Sequence, residues 1–379
     1  MKIGIDISQI VYGTGVSNYT KSLVSTLFTL DKKNKYVLFG GSLRQRETLR
    51  NFTNKFVDNR NLKVCLTPIS PRIADFIWNR IHRIPIDFLI GRMDVFHSSD
   101  WTQPPTKAAK VTTIHDLVPL KFPETLPKVI ITAHINRLKW VKKECDLIIA
   151  VSESTKKDII ELLDIPSKKI KVIYEASHEH IDPNVQPNSK SVQKVFKKYN
   201  IRGPFFLSVA TLEPRKNISR VLEAMINLPK SVQLVLVGKL GWGAKEIIQM
   251  IKKLNLSERV VLTDYVSGDE LALLYKNAIA LIYVSLYEGF GLSVLTALAS
   301  GLPVVTSNVS SLPEVGGEAV VYVDPNDVDD IRRGIERVFN FSPEVRQEII
   351  TKGLAQAKKF SWEKTARETL KVYEEVCNR

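Results

Sequence analysis

The sequence predicts an α/β protein made of two doubly wound, Rossmann-like parallel-sheet domains. Three observations predict it. Short apolar runs rich in Val and Ile alternate with amphipathic helical patterns, the βαβα rhythm of parallel sheets. The rhythm pauses once, at Asp182-Pro-Asn-Val-Gln-Pro-Asn-Ser189, a polar Pro/Asn stretch suited to a linker. A chain of 379 residues is also too long for one ordinary α/β core.

Taken in order, Lys2–Ile7, Tyr36–Phe39, Leu62–Leu66, Val95–His97, Val111–Ile114, Leu147–Val151 and Ile170–Ile173 read as strands. Val16–Leu30 and Ile131–Glu144 are amphipathic helices among them. After the pause, strands resume at Phe205–Val209, Gln233–Val237, Val260–Thr263, Ile279–Val284, Pro303–Thr306 and Val320–Val323. This gives a first domain over residues 1–188 and a second over 189–361. A closing helix covers about residues 362–379.

Hydrophobic content of 44% is ordinary for a globular protein, and no run of 18 apolar residues suggests a membrane span. The start, Met1-Lys-Ile-Gly-Ile-Asp-Ile7, reads as a strand and not as a signal peptide. Cys65, Cys145 and Cys377 are odd in number and widely spaced, which points to a reducing, cytoplasmic setting without disulfides or a zinc site. The net charge of +14 is uneven: residues 1–200 hold 32 Lys and Arg against 19 Asp and Glu, the remainder 22 against 21. A basic half suits a polyanion, either an anionic membrane or nucleic acid; a generally basic proteome is the plain alternative. Nucleic acid is disfavoured because no recognised module or aromatic-basic interleaving stands out.

The most informative stretch is Ser285-Leu-Tyr-Glu-Gly-Phe-Gly-Leu-Ser-Val-Leu-Thr-Ala-Leu-Ala-Ser-Gly-Leu-Pro-Val-Val305. A buried strand runs into a turn with Gly289 and Gly291, then an apolar helix from about Leu292 to Ser300. Such a turn aims the N–H groups of a helix start into a crevice where a phosphate can sit. Glu288 would repel a bare phosphate, but it suits a ligand that also offers hydroxyls. Ser208-Val-Ala-Thr-Leu-Glu-Pro-Arg-Lys-Asn217 sets Arg215 and Lys216 at another strand's carboxyl end, where open sheets bind ligands. A solvated basic surface is the competing reading.

These two segments resemble the donor-binding signatures of retaining glycosyltransferases of the GT-B fold, family 4. Glu288, Gly289, Phe290, Gly291, Leu292, Leu295, Ala297, Gly301 and Pro303 match the first signature, and Arg215 and Lys216 match the residues that contact the diphosphate in the second. The family's second glutamate, which bonds the nucleotide ribose, is here Thr296. A threonine brings no charge, and charged acceptors form roughly twice as strong hydrogen bonds. The resemblance implies two domains facing across a cleft, with the closing helix packed back on the first. It also implies transfer of a hexose from a nucleotide-sugar with retention, through a front-face substitution in which the leaving phosphate helps deprotonate the acceptor. No cofactor or metal is implied; the nucleotide-sugar is a co-substrate.

Other segments are read beside the resemblance. Thr263-Asp-Tyr-Val-Ser267 resembles the base-pocket segment, with Tyr265 and Val266 as donor contacts; the alternative is a loop capped by Ser267, with Asp269 and Glu270 opening a helix. Gly13 and Gly15 let backbone approach a ligand, and their loop resembles one that closes over donor and acceptor; the dinucleotide fingerprint fails because position 18 is Asn. His115-Asp116 with Pro119 resembles the segment of mannosyltransferase-like members, where the histidine touches the transferred sugar. That makes GDP-mannose the expected donor. By default His115 and His97, both at strand ends, are packed core histidines. Ser152 reads as a helix cap. Asp327-Val-Asp329 fits a metal-binding pattern, but reads as a turn and helix start where acids complement the macrodipole. Pro71–Ile84 places Ile73, Phe76, Ile77, Ile81 and Ile84 at helical spacing, bordered by Arg72, Arg80 and Arg83. It is either a core-facing helix or a peripheral contact with an anionic membrane near a glycan or lipid-linked acceptor. Rival functions are a scaffold subunit that has lost turnover, marked by Thr296, and a nucleotide-sugar epimerase of the same fold.

Overall fold

The computed structural model describes residues 1–177 and 188–378. The expected linker, apart from its last two residues, and the expected start of the second domain fall on or beside residues outside that range. The chain divides into two compact units, Met1–His178 with Ser361–Arg379, and Glu179–Phe360.

Unit 1 is built on a seven-stranded sheet: β1 (Lys2–Asp6), β2 (Lys35–Gly41), β3 (Leu62–Thr67), β4 (Val95–Ser98), β5 (Ala109–Ile114), β6 (Leu147–Ala150) and β7 (Ile170–Val172). Their order is β3-β2-β1-β4-β5-β6-β7, with every pair parallel. Side chains alternate faces, as the pleat requires. Tyr36 and Leu38 join Ile3, Ile5, Leu23 and Leu27 on one face, while Val37 and Phe39 join Trp78, Ile90 and Phe96 on the other. Strands covered on both faces read as continuous apolar runs, which is why the sequence showed them. The helix Trp362–Cys377 packs on the first face through Val372, Tyr373 and Val376. Tyr373 OH lies 2.7 Å from His97 Nδ1, Trp362 Nε1 donates to Ser177 O at 2.9 Å, and Thr365 Oγ1 donates to Tyr174 O at 2.7 Å.

Unit 2 is a six-stranded parallel sheet: β8 (Phe205–Val209), β9 (Gln233–Val237), β10 (Val260–Asp264), β11 (Leu281–Tyr283), β12 (Val304–Ser307) and β13 (Val321–Val323), in the order β10-β9-β8-β11-β12-β13. In each sheet the order reverses beside the first strand, between β1 and β4 and between β8 and β11. Such reversals open the crevice in which doubly wound sheets hold ligands.

One expected element is different. Pro71–Ile84 is not a single α-helix: one α-turn, Pro71–Ala74, passes into a π-helix, Asp75–Ile81, that ends at His82 in the left-handed region with φ 54°. The π-turn re-aims the faces, so Ala74 and Trp78 enter the core while Ile73, Phe76, Ile81 and Ile84 stay exposed. The core-facing reading of those four residues is therefore wrong. Ser152, by contrast, caps the helix Glu153–Leu163, its Oγ accepting from Thr155 N at 2.9 Å. Among the described residues no helix is long and apolar enough to cross a membrane, and the three cysteines are free.

Candidate active site

The reversal in unit 2 gathers three of the charged residues singled out in the sequence. Arg215 and Lys216 follow β8 on the 3-10 turn Pro214–Lys216; Glu288 follows β11. Residues 72 positions apart meet because β8 and β11 are neighbours whose carboxyl ends share one edge. Leu286 N donates to Arg215 O at 2.9 Å and ties the two loops together. Lys216 Nζ lies 2.6 Å from Glu288 Oε1, and Arg215 Nη1 lies 3.1 Å from Glu288 Oε2. Arg215 Nη1 also donates to Tyr287 O at 2.6 Å. Tyr283 OH accepts from Lys216 Nζ and donates to Glu288 Oε1, each at 2.9 Å.

This cluster is nearly closed to solvent: Arg215 is 9% and Glu288 8% exposed. Burial pushes the Glu288 carboxyl up, but the Lys216 ammonium and the Arg215 guanidinium overcome it and hold the group down at about 2. Burial and the nearby Arg215 oppose the charge on Lys216; Glu288 outweighs them and raises it above the ordinary lysine range. Glu213 Oε2 lies 3.6 Å from Arg215 Nη2, so two cations meet two carboxylates and the formal charges balance.

The turn after Glu288 is fastened from behind. Ser310 Oγ accepts from Glu288 N at 2.9 Å, and Ser311 Oγ bonds Glu288 O and Phe290 O at 2.9 and 2.8 Å. Gly291, at φ 109°, begins the helix Leu292–Ala299, and a Cβ there would lie 2.9 Å from Leu312 Cδ2. The Phe290 ring packs against Phe360 at 5.7 Å. Thr296 is buried on the same helix. A second loop, Gly238-Lys-Leu-Gly-Trp-Gly243, buttresses the turn that carries Arg215. A Cβ at Gly238 would stand 2.1 Å from Ala210 O and one at Gly241 2.6 Å from Leu212 O, so only glycine permits that approach. The three glycines are visible in the sequence, but the loop they pack against, residues 210–214, is not.

Tyr265 is 73% exposed and Val266 is buried, just before the helix Gly268–Asn277. Ser267 and Glu270 form the reciprocal capping box there, the local role that the alternative reading gives them. Asp327 caps Val328–Phe339 by accepting from Asp329 N and Asp330 N at 2.8 and 3.1 Å, the helix-start geometry expected of it. Among the described residues no group of three or more His, Cys, Asp or Glu could hold a metal ion.

His115, Gly13 and Gly15 belong to unit 1. Gly13 is left-handed at φ 63°, and Gly15 opens the helix Gly15–Leu30. His115 Nδ1 lies 2.8 Å from Glu175 Oε1, and the Tyr19 ring meets its imidazole edge-on at 4.6 Å. Burial pushes the His115 imidazolium down, yet Glu175 more than offsets this and raises it. His97 is different: burial brings it down to about 3, and it bonds Tyr373 OH and Thr113 Oγ1, as a packed core histidine does. Sequence reasoning missed Glu175, Tyr283, Ser310 and Ser311, each following or ending a strand without a local pattern around it.

Comparison with known proteins supplies the family. Residues 191–356 match the model for glycosyl transferases group 1, and residues 14–176 match that for glycosyltransferase family 4. An Escherichia coli protein named O-antigen chain mannosyltransferase B is 31% identical across 98% of this chain and 99% of its own. The chain belongs to the group 1, family 4 glycosyltransferases. It is a glycosyltransferase in the GT-B fold class. A glycosyltransferase from Rickettsia africae ESF-5 superposes with a TM-score of 0.72 at 17% identity, covering 99% of this chain and 98% of its own. Anabaena HepE, solved with UDP and glucose, superposes at 0.71 with 16% identity, covering 98% and 99%. At those identities the likeness is one of fold.

Proposed function

We propose that this glycosyltransferase moves mannose from GDP-mannose onto a glycan or lipid-linked acceptor of the O-antigen type, with retention of configuration. The observation that carries the reading is the buried Arg215–Lys216–Glu288 cluster beside a helix start at the sheet reversal. A departing diphosphate needs positive charge and aimed N–H groups, and fixed groups in a water-poor site supply both without reorganising. Lys216, Arg215 and the main-chain amides from Gly289 to Leu292 would hold the diphosphate in place of a metal. Glu288 would accept hydrogen bonds from sugar hydroxyls, and Thr296 from the ribose. Tyr265 and Val266 would border the base, and Gly13 and Gly15 would let the first loop approach the donor. His115, oriented by Glu175, would present Nε2 to the transferred sugar. The mannosyl and O-antigen parts of the reading draw on the name of the Escherichia coli relative.

In the transfer, the bond between the anomeric carbon and the phosphate oxygen breaks and the acceptor oxygen bonds the same face of that carbon. The acceptor proton passes to the departing phosphate oxygen. A melting-temperature screen against GDP- and UDP-sugars tests the donor, since a ligand that binds only the folded chain raises the midpoint. The expected result is a rise with GDP-mannose; none with any GDP-sugar overturns the donor assignment. NMR of the product from GDP-α-mannose tests the stereochemistry: an α-linkage is expected, and a β-linkage refutes retention.

The acceptor reading places the enzyme against the inner, cytoplasmic face of a membrane. Ile73, Phe76, Ile81, Ile84 and Phe88 are exposed apolar side chains on unit 1, with Phe88 80% exposed, and Arg72, Arg80 and Arg83 are exposed in the same segment. Apolar groups beside basic ones match an anionic bilayer surface. Co-sedimentation with anionic liposomes at low salt, lost in Phe76→Ser/Phe88→Ser, is expected; failure of the unaltered protein to sediment refutes it.

A further inference from the structure

The ligand edge of unit 1 differs in kind from that of unit 2. Where the first sheet reverses, the segment after β1 carries Tyr12 and the segment after β4 carries Asp100 and Trp101. The Tyr12 and Trp101 rings lie 5.4 Å apart at 45°, and Trp101 and His134 lie 5.0 Å apart at 52°. All three residues are half-buried. They form one row of aromatic surface at the place where a doubly wound sheet binds its ligand.

The row is held in place. Asn79 Nδ2 donates to Trp101 O at 2.9 Å, and Gln9 Oε1 accepts from Asp100 N at 2.7 Å. Thr102 Oγ1 donates to the buried Asp6 carboxylate at 3.4 Å, tying the end of β1 to this loop. The Asp100 carboxylate stands beside the row, 3.2 Å from Nη1 of the buried Arg137, which also donates to Thr112 Oγ1 at 2.6 Å. The recess beneath Tyr12 and Trp101 has about 20 Å³ of room, enough for roughly one water. A sugar ring cannot enter it and would lie across the aromatic faces.

Such a surface selects among ligands. Unit 2's edge carries two cations, paired with Glu288 and Glu213, that a diphosphate could meet; this edge carries aromatic rings and a carboxylate paired with the buried Arg137. A pyranose has apolar C–H faces to lay on aromatic rings and a rim of hydroxyls to donate to a carboxylate. We infer that Tyr12, Trp101 and His134 form a stacking subsite for the terminal sugar of the acceptor, with Asp100 accepting hydrogen bonds from its hydroxyls. The inference rests on the glycosyltransferase reading but not on the identity of the donor.

The test uses the full chain without donor and two probes, methyl α-mannopyranoside and an α-linked mannotriose, followed by saturation-transfer NMR and titration. The apo melting temperature reports folding for each variant, and the shift with GDP-mannose reports the donor site. Mannotriose binding is expected to weaken about tenfold in Trp101→Ala, which removes most of the apolar platform, and to stay within about threefold in Trp101→Phe, which keeps a ring. The GDP-mannose shift should be the same in all three proteins. Should Trp101→Ala melt early, Tyr12→Ala at the end of the row gives the same reading. Unchanged mannotriose binding in the folded variants overturns the inference, as does absence of binding to the unaltered protein. Mannotriose binding that depends on Trp101, with no GDP-mannose shift in any protein, upholds the subsite and overturns the donor assignment instead.

Discussion

Replacing Glu288 by Gln keeps the side chain's shape and removes its charge, and the structure sets the size of the effect. The carboxyl is held at about 2, against an ordinary value of 4.5, by Lys216 at 2.6 Å and Arg215 at 3.1 Å, in a site almost closed to water. At ~1.36 kcal/mol per pKa unit the difference amounts to roughly 3 kcal/mol of stability. Breaking a buried ion pair costs about 3–5 kcal/mol, which agrees. The sign follows from the depressed folded-state value. The contribution is complete above the unfolded value near 4.5 and disappears as pH falls through about 2. At pH 7 the variant should therefore melt roughly 6–12 °C lower, by the ~2–4 °C per kcal/mol of a domain of this size. The gap should close as pH drops from about 4.5 towards 2. Scanning calorimetry across that range measures it. The ligand arm runs the other way: removing the carboxylate leaves Arg215 and Lys216 opposed by Glu213 alone, one net positive charge more, so GDP affinity should hold or rise. Transfer should fall about 30-fold with the loss of ~2 kcal/mol of charge-assisted bonding to the sugar. A melting gap independent of pH, or GDP affinity falling in step with transfer, refutes the reasoning.

Lys216→Ala removes the cation nearest Glu288 and should lower kcat about 100- to 1000-fold, as loss of a group aimed at developing charge does; an unchanged kcat in a donor-saturated assay speaks against it. Thr296→Glu restores a charged ribose acceptor and should lower the Michaelis constant for the nucleotide-sugar several-fold, to about the gain of one charged hydrogen bond; equal constants across donors dispose of that role. Gly291→Ala forces a Cβ into a φ of 109° and to within 2.9 Å of Leu312 Cδ2. It should cost about 1–2 kcal/mol in urea unfolding and weaken pyrophosphate binding, whereas unaltered binding frees the helix start from that role. Glu175→Gln should lower the His115 titration followed by imidazole NMR. The pair stabilises the fold fully below the ordinary histidine value of 6.5, and that stability is lost as pH rises through the raised folded value; an unmoved titration removes Glu175 as its cause.

The fold was legible where one short stretch decides an element. Strands buried on both faces announce themselves as apolar runs, and capped helices by Ser267 with Glu270 or by Ser152. The segment Pro71–Ile84 misled because a π-turn keeps no sequence signature. Trp78 is pulled inward, with Nε1 donating to Ile84 O at 2.9 Å, and His82 stacks on Trp140 at 3.6 Å, a partner 58 positions away. Arg215, Lys216 and Glu288 were legible because each sits in a distinctive string at a strand end. Tyr283, Glu175 and the Ser310–Ser311 pair were not. Their parts depend on which strand ends become neighbours, and that is fixed by sheet order, which no local window contains.

Charge and chemistry turn out to occupy different places. The half of the chain with the basic excess, 32 Lys and Arg against 19 Asp and Glu, presents aromatic rings and a paired carboxylate at its own sheet reversal. The balanced half carries the paired cations Arg215 and Lys216. The cations proposed to hold the diphosphate are therefore few, largely desolvated and opposed by Glu288 and Glu213, which leaves a net-charge count unmoved. The surplus that does move the count includes exposed side chains such as Arg72, Arg80 and Arg83, where solvent and salt screen each charge and only a large opposing surface repays many at once. Raising the salt should therefore release the enzyme from anionic vesicles well before it weakens GDP binding at the Arg215–Lys216 cluster. If both decline together, the two sets of charges do not have separate tasks.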